Sequence, residues 1–191
     1  DDVVRCNSCD YAANVERSSS ALPVVKDRDL VELTKFPTPG VRTIAALEAA
    51  DGGAPADHQI KTMVMVLDGD VTLALVRGDH QLNLQKLQDG TGAIDIRPAT
   101  PEEAKAALGA MPGSLGAVGV EGTRIVADPV LQGRSGLTTG ANTDDWHYTG
   151  VNIERDIAVD EWMDLRDVSA GEACISCGEP LTIVRCIEAG H

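Results

Sequence analysis

The chain has 191 residues, 43% of them hydrophobic but only 3% aromatic, so a core of Val, Ile, Leu and Ala is expected. Acidic residues outnumber basic ones 30 to 16, giving a formal charge of −14 with no cluster of Lys and Arg. This balance excludes a protein that grips a nucleic-acid backbone over many phosphates, and limits any such contact to something small, such as one strand end entering a pocket. No apolar run approaches the roughly 20 residues of a membrane span, and no charged-then-apolar leader opens the chain.

Residues 1–17 hold a first Cys-x-x-Cys pair, Cys6 and Cys9, followed by a short ordered segment, Asp10 to Arg17. Ser18-Ser19-Ser20 begins a polar linker. After Pro37-Thr38-Pro39-Gly40, Val41 to Ala50 reads as a helix capped at or near Thr43 and ended by Asp51-Gly52-Gly53. Lys61 to Leu67 and Val71 to Arg77 are β-rich runs around Asp68-Gly69-Asp70, which predicts a hairpin. Both runs are apolar throughout, so both sheet faces should be covered. Gln81 to Gln88 reads as a short helix with Leu84 and Leu87 inward, and Ile94 to Arg97 alternates like a strand. Thr100-Pro101-Glu102-Glu103 opens a helix with a cap, Pro in the first turn and acids at the positive dipole end.

A glycine-punctuated stretch, Gly113 to Val120, precedes strands at Arg124–Ala127 and Leu137–Thr139 and a further one after a loop, within Asp144 to Asn152. Strands interrupted by helices predict an α/β chain of the α+β type: a mixed sheet, curved or barrel-like, with helices packed on it.

The second Cys-x-x-Cys pair, Cys174 and Cys177, lies near the other end. A two-residue spacer lets both sulfurs of a pair face one ion, so four thiolates in two pairs suit a tetrahedral zinc site. One shared ion would require the start and end of the chain to approach within a few ångströms. A domain whose ends meet can be inserted into another protein, and the opening Asp1-Asp2 fits a processed or cut fragment. An odd cysteine count favours reduced cytosolic thiols on metal over disulfides, with four unligated thiols as the alternative. Cys186, the fifth, reads as a small buried hydrophobe beside the strand Leu181 to Val184.

Taken as residues alone, the polar candidates stay open. Lys61 heads an apolar strand, as a solvated strand end or as a cation reaching a phosphate or a 3′-terminal adenosine. His147, between Trp146 and Tyr148, is either structural or a group that orients substrate or water. Asp128 precedes Pro129 and either caps a turn or serves a pocket. His58 and His80 have no partner pattern and default to surface or loop, and Arg77 is expected to pair with Asp79 or a phosphate. No serine or cysteine with a base partner is recognisable, Ser114 included.

Several stretches in order resemble the editing insertion domain of bacterial prolyl-tRNA synthetase, the YbaK-like domain. They are Thr38-Pro39-Gly40 with Arg42-Thr43-Ile44, Lys61-Thr62, Val76 to Asn83, Gly113-Ser114-Leu115-Gly116, Ala127-Asp128, Gly140-Ala141-Asn142, and His147-Tyr148 through Asn152 to Arg155-Asp156. The flanks Asp10 to Glu16 and Ile187 to His191 resemble the segments joining that domain to the synthetase body. The resemblance implies flanks over 1–22 and 166–191 around an insertion over 23–165.

It further implies hydrolysis of alanyl-tRNA(Pro) at its 3′ end, with the rest of the synthetase as partner, ATP and Mg serving the parent ligase only, a cytoplasmic setting, and neither DNA nor membrane. Proline-sized pockets discriminate weakly against alanine, because missing methylenes are worth only about 1–3 kcal/mol, and a second sieve clears the error. The implied catalytic residues are Lys61, His147 and Asp128, the last holding the substrate amino group. Gly113, Ser114, Leu115, Gly116, Ala117 and Asn142 would shape the amino-acid pocket. Attack by water is expected, assisted by a ribose hydroxyl of the substrate. The family loop usually ends in proline where this chain has Ala117, which puts loop rigidity in question. A non-catalytic insertion clasped by structural zinc at Cys6, Cys9, Cys174 and Cys177 is the competing reading, and hydrolysis of cysteinyl-tRNA a third.

Overall fold

The computed structural model describes residues 2–186. Strand β1 (Asp2–Cys6) pairs antiparallel with β2 (Ala12–Asn14) on one edge and with the final strand, Leu181–Arg185, on the other. This small sheet has its own core of Val4, Cys6, Val168, Cys174 and Leu181. The serines expected to open a linker are instead built into this base. Ser18 and Ser20 are buried, and Ser20 bridges Cys174 and bonds Glu172 and Arg166.

Next come β3 (Thr34–Pro37) and α1 (Ile44–Ala49), whose N-cap is Thr43, its hydroxyl accepting the Ala46 N–H. The helix starts three residues later than Val41. Strands β4 (Ile60–Leu67) and β5 (Asp70–Arg77) form the expected hairpin with eight paired positions. Its two-residue turn has positive φ at both Asp68 (50°) and Gly69 (93°), the geometry that matches the right-handed twist of paired strands. Helix α2 (Leu84–Thr91) is capped by Asn83 and closed by Gly92 at φ 72°. Leu87 is buried, but Leu84, in the first turn, is exposed. A short β6 (Ile96–Pro98) follows, with Ile94 outside it and exposed. Helix α3 (Pro101–Leu108) has the full capping box between Thr100 and Glu103.

The parallel strand β7 (Arg124–Ala127) lies beside β5. β8 (Leu137–Gly140) and β9 (Trp146–Val151) form a hairpin with β3 on its far edge. A single turn, α4 (Ile153–Asp156), and β10 (Glu161–Trp162), parallel to β7, lead back to the last strand, β11 (Leu181–Arg185). The main sheet runs β10-β7-β5-β4-β6 and the second β3-β9-β8.

Both faces of the hairpin are covered, as its continuous apolar runs require. Ile60, Val64, Leu73 and Leu75 pack with Leu131, Leu137 and Val151; Met65, Ala74 and Val76 pack with Leu87 and Leu165. The sheets curl towards each other but do not close into a barrel. β6 ladders only with Met65–Leu67, and β8 reaches β4 through one bridge, Gln59 to Thr138. One edge of β4 from Ile60 to Val64 therefore faces a gap. Cys186 lies just past β11 and is exposed, so the buried position expected for it is corrected: the strand ends at Arg185.

Candidate active site

The gap beside β4 is a cleft of about 360 Å³. Ile60 to Val64 form its floor, α1 contributes Ile44 and Leu47, and the glycine loop contributes Gly113 and Leu115. Thr139 and Gly140 from the end of β8 and His147 from β9 close the remaining side. Lys61 and His147, 86 residues apart in the chain, line this one cavity.

His147 is buried and sits across from Phe36 in the β3–β9 register, with ring centroids 6.4 Å apart. Its Nδ1 lies 2.5 Å from the Thr38 hydroxyl. Burial, and then the charge of Arg42, push its pKa below the ordinary histidine value, while the Gly113 backbone opposes them. The imidazole is therefore neutral at pH 7 and can accept a proton or a hydrogen bond. Lys61 donates from Nζ to the His80 carbonyl at 2.6 Å. Burial lowers its pKa and Asp79 counters that.

The loop carrying His80 is braced by a bidentate Arg77–Asp79 pair at 2.6 and 2.8 Å, the pairing expected from sequence. His80 itself is buried within that loop, not on the surface. Its pKa falls to about 4 through burial and the charges of Arg77 and Arg166, against Asp79 and Glu172. The unfolded chain protonates this ring near 6.5, so stability is full above that pH and declines as pH falls from 6.5 towards 4. We expect a loss of up to about 3 kcal/mol, with His147 adding in the same direction. Urea unfolding of the parent and of His80→Gln at pH 7 and pH 5 checks this: the variant should show the smaller drop.

The glycine loop is held by the turn after β8. Asn142, at φ 53°, accepts the Gly116 N–H through Oδ1 and donates Nδ2 to the Gly116 carbonyl, both at 2.8 Å. Its own N–H donates to the Ser114 carbonyl. Asp145, at φ 66°, donates its N–H to the buried Ser114 hydroxyl and accepts the Thr38 N–H at its carbonyl. Close approach explains the glycines. A Cβ on Gly140 would lie 2.3 Å from the Leu115 oxygen, and one on Gly116 2.0 Å from the Gly140 oxygen. Gly140→Ala should cost about 1–3 kcal/mol as overpacking and displace the loop from the cleft. A melting curve of that variant should show the lower midpoint.

Of the residues expected in the site, Gly113 and Leu115 line the cleft, whereas Ser114 is buried in the latch and Asn142 forms it. Ala117 is fully buried in the main core. The rigidity that a proline would supply comes instead from the hydrogen bonds of Asn142. Asp128 is also fully buried and is not among the cleft residues; its carboxylate accepts the Val130 and Leu165 N–H groups at 3.0 and 2.8 Å. That placement is a turn cap, and gives no support to contact with a substrate amino group. Sequence reading passed over Arg42 as a site residue, as well as Gln59 and Thr62. Gln59 Oε1 and Thr62 Oγ1 are buried without a partner among the described residues.

The four paired cysteines meet in the base sheet. Their sulfurs all lie within 4.8 Å of one another, with Cys6–Cys177 at 3.5 Å and Cys9–Cys174 at 3.7 Å. Four thiolates about 2.3 Å from one tetrahedral ion would sit about 3.8 Å apart, so the donor set fits a metal. The Ser8 and Ser176 N–H groups point at Cys6 and Cys174 sulfurs, each at 3.4 Å.

Mixed sheets that leave a cleft of this kind define a known class. Residues 38–156 match the aminoacyl-tRNA editing domain family, and the chain belongs to it. It is 45% identical over 193 residues to a proline–tRNA ligase of Anaeromyxobacter sp. (strain Fw109-5), covering 99% of this chain and 34% of that protein. The corresponding ligase of Ligilactobacillus salivarius is 40% identical over 194 residues, covering 100% of this chain and 34% of its own length. The chain thus spans about a third of the length of the curated relatives it matches.

Among solved structures, a protein proposed as a trans-editing enzyme for prolyl tRNA synthetase superposes with a TM-score of 0.58 at 24% identity, over 71% of this chain and 87% of that one. A scaffold protein used for epitope grafting gives 0.61 at 21%, over 72% and 88%. At these identities the likeness concerns the fold alone. Among the described residues no helix is long and apolar enough to cross a membrane.

Proposed function

We propose that this chain hydrolyses the ester of alanyl-tRNA(Pro), as the editing domain of a cytoplasmic proline–tRNA ligase. The observation that carries the reading is the convergence of Lys61 and His147 on one small, mostly apolar cleft. Walls such as Ile44, Leu47 and Leu115 suit a methyl side chain. Among the described residues no serine or cysteine lines the cleft, and in this reading water is the nucleophile. Its oxygen bonds to the ester carbonyl carbon, the bond to the ribose oxygen breaks, and that oxygen leaves with a proton, giving free alanine and uncharged tRNA. Neutral His147 orients the water or the ester, and the Lys61 ammonium stabilises the developing oxyanion. A ribose hydroxyl of the substrate would assist by position.

In this reading Asp128 and Asn142 act through the backbone, one as a turn cap and the other as a loop latch. ATP and Mg belong to the ligase beyond this segment. The four cysteines hold structural zinc, clasping the base sheet and leaving the chemistry to the cleft.

Incubating the chain with alanyl-, prolyl- and cysteinyl-tRNA and following deacylation tests the assignment. Rapid loss of alanine with prolyl-tRNA spared supports it; equal rates on all three, or none, would leave it without basis.

A further inference from the structure

The cleft is cationic within an acidic protein. The chain carries a formal charge of −14, yet Arg42 and Lys61 line the cavity and no carboxylate does. The two cations differ in position. Lys61 is drawn to the His80 carbonyl, whereas the Arg42 side chain is 47% exposed. Its Nη1 contacts Asp145 Oδ1 at 2.8 Å and the Val41 carbonyl at 2.9 Å. Nε and Nη2 donate to no group among the described residues. The Arg42 stem is packed against the glycine loop: a Cβ on Gly113 would fall 2.5 Å from Arg42 Cδ. Asp145 also accepts the Gly40 N–H, and that bond and Arg42 hold its carboxyl below the ordinary range. The guanidinium is therefore positioned with free donors beside the cavity.

We propose that Arg42 is the phosphate anchor of this site, taking the 5′-phosphate of the terminal nucleotide whose ribose carries the aminoacyl ester. The inference rests on the editing reading. A planar guanidinium presents paired N–H donors that match phosphate oxygens, which a lysine ammonium does only as a point charge. The 5′-phosphate is the negative charge closest to the ester in such a substrate, so a buried aminoacyl ribose delivers it to the cleft margin. An exposed Arg–Asp pair adds little to stability, so releasing Asp145 to take a phosphate costs the fold little. One local anchor also reconciles binding of a polyanion's end with the acidic surface around it.

The test uses 3′-alanylamino-3′-deoxyadenosine, which is not hydrolysed, with and without a 5′-phosphate, titrated by calorimetry against the 191-residue chain. The phosphorylated form should bind about tenfold more tightly, an advantage that salt erodes. Arg42→Gln should erase that advantage, weakening the phosphorylated form well beyond any loss for the phosphate-free form, and Arg42→Lys should keep part of it. Thermal unfolding verifies that both variants fold. No preference in the parent, or a preference that survives Arg42→Gln, overturns the anchor, as does equal weakening of both ligands. Deacylation of alanyl-tRNA, measured separately, reports on the editing reading, so either idea can fail alone.

Discussion

Replacing Lys61 by alanine is expected to slow deacylation of alanyl-tRNA by about a hundredfold or more, with the fold intact. A preorganised charge aimed at a developing oxyanion commonly accounts for 10²–10³ in rate, roughly 3–4 kcal/mol of barrier. Among the described residues Lys61 is the only ammonium lining the cleft, and burial raises the strength of its interactions there. Its structural role is small: one donated hydrogen bond, from Nζ to the His80 carbonyl, at a half-buried position. Loss of that bond costs about 1 kcal/mol, a few degrees in melting temperature for a chain of this size. Single-turnover deacylation beside a melting curve separates the two effects. A variant as fast as the parent would remove Lys61 from the mechanism, and one that is slow only because it is unfolded would show itself in the melt.

Stripping metal from the four-cysteine cluster should lower the melting temperature by about 10 °C or more while sparing hydrolysis at room temperature. The base sheet has a core of five buried side chains, two of them cysteines, which is too little apolar area to stand alone. The proposed structural ion would supply the difference, since its binding energy becomes folding energy. A drop of this size corresponds to about 3–5 kcal/mol at the 2–4 °C per kcal/mol typical of such chains. The cleft draws no residue from β1, β2 or β11, so chemistry should persist until the base melts. Metal analysis should find one ion per chain, and Cys9→Ser should reproduce the loss. A metal-free preparation with an unchanged melting curve would mean that the sulfurs meet without a ligand.

Local chemistry made much of the fold legible. The Asp68-Gly69 hairpin, the Thr43 cap and the Thr100–Glu103 box each depend on residues within a few positions of one another, and each stands where sequence placed it. The convergence of Lys61 and His147 was reachable through family resemblance and not through spacing, because the two lie on different sheets. What stayed hidden depended on tertiary context. Nothing local says that His80 is buried, that Leu84 faces outward from the first turn of α2, or that the Asp128 carboxylate accepts the Leu165 N–H. Arg42 was visible within a quoted motif but acquires meaning only when Asp145, 103 residues away, is seen to hold it.

The four residues from Asn142 to Asp145 act as a tie rod. One end is fastened to the Gly116 segment and the other to the Thr38–Gly40 segment, the stretches next to the cleft-lining Leu115 and Arg42. Separating the two stretches would break several of these hydrogen bonds at once. The placement of two cleft-lining residues is thus tied to a four-residue linkage that itself lies outside the cleft.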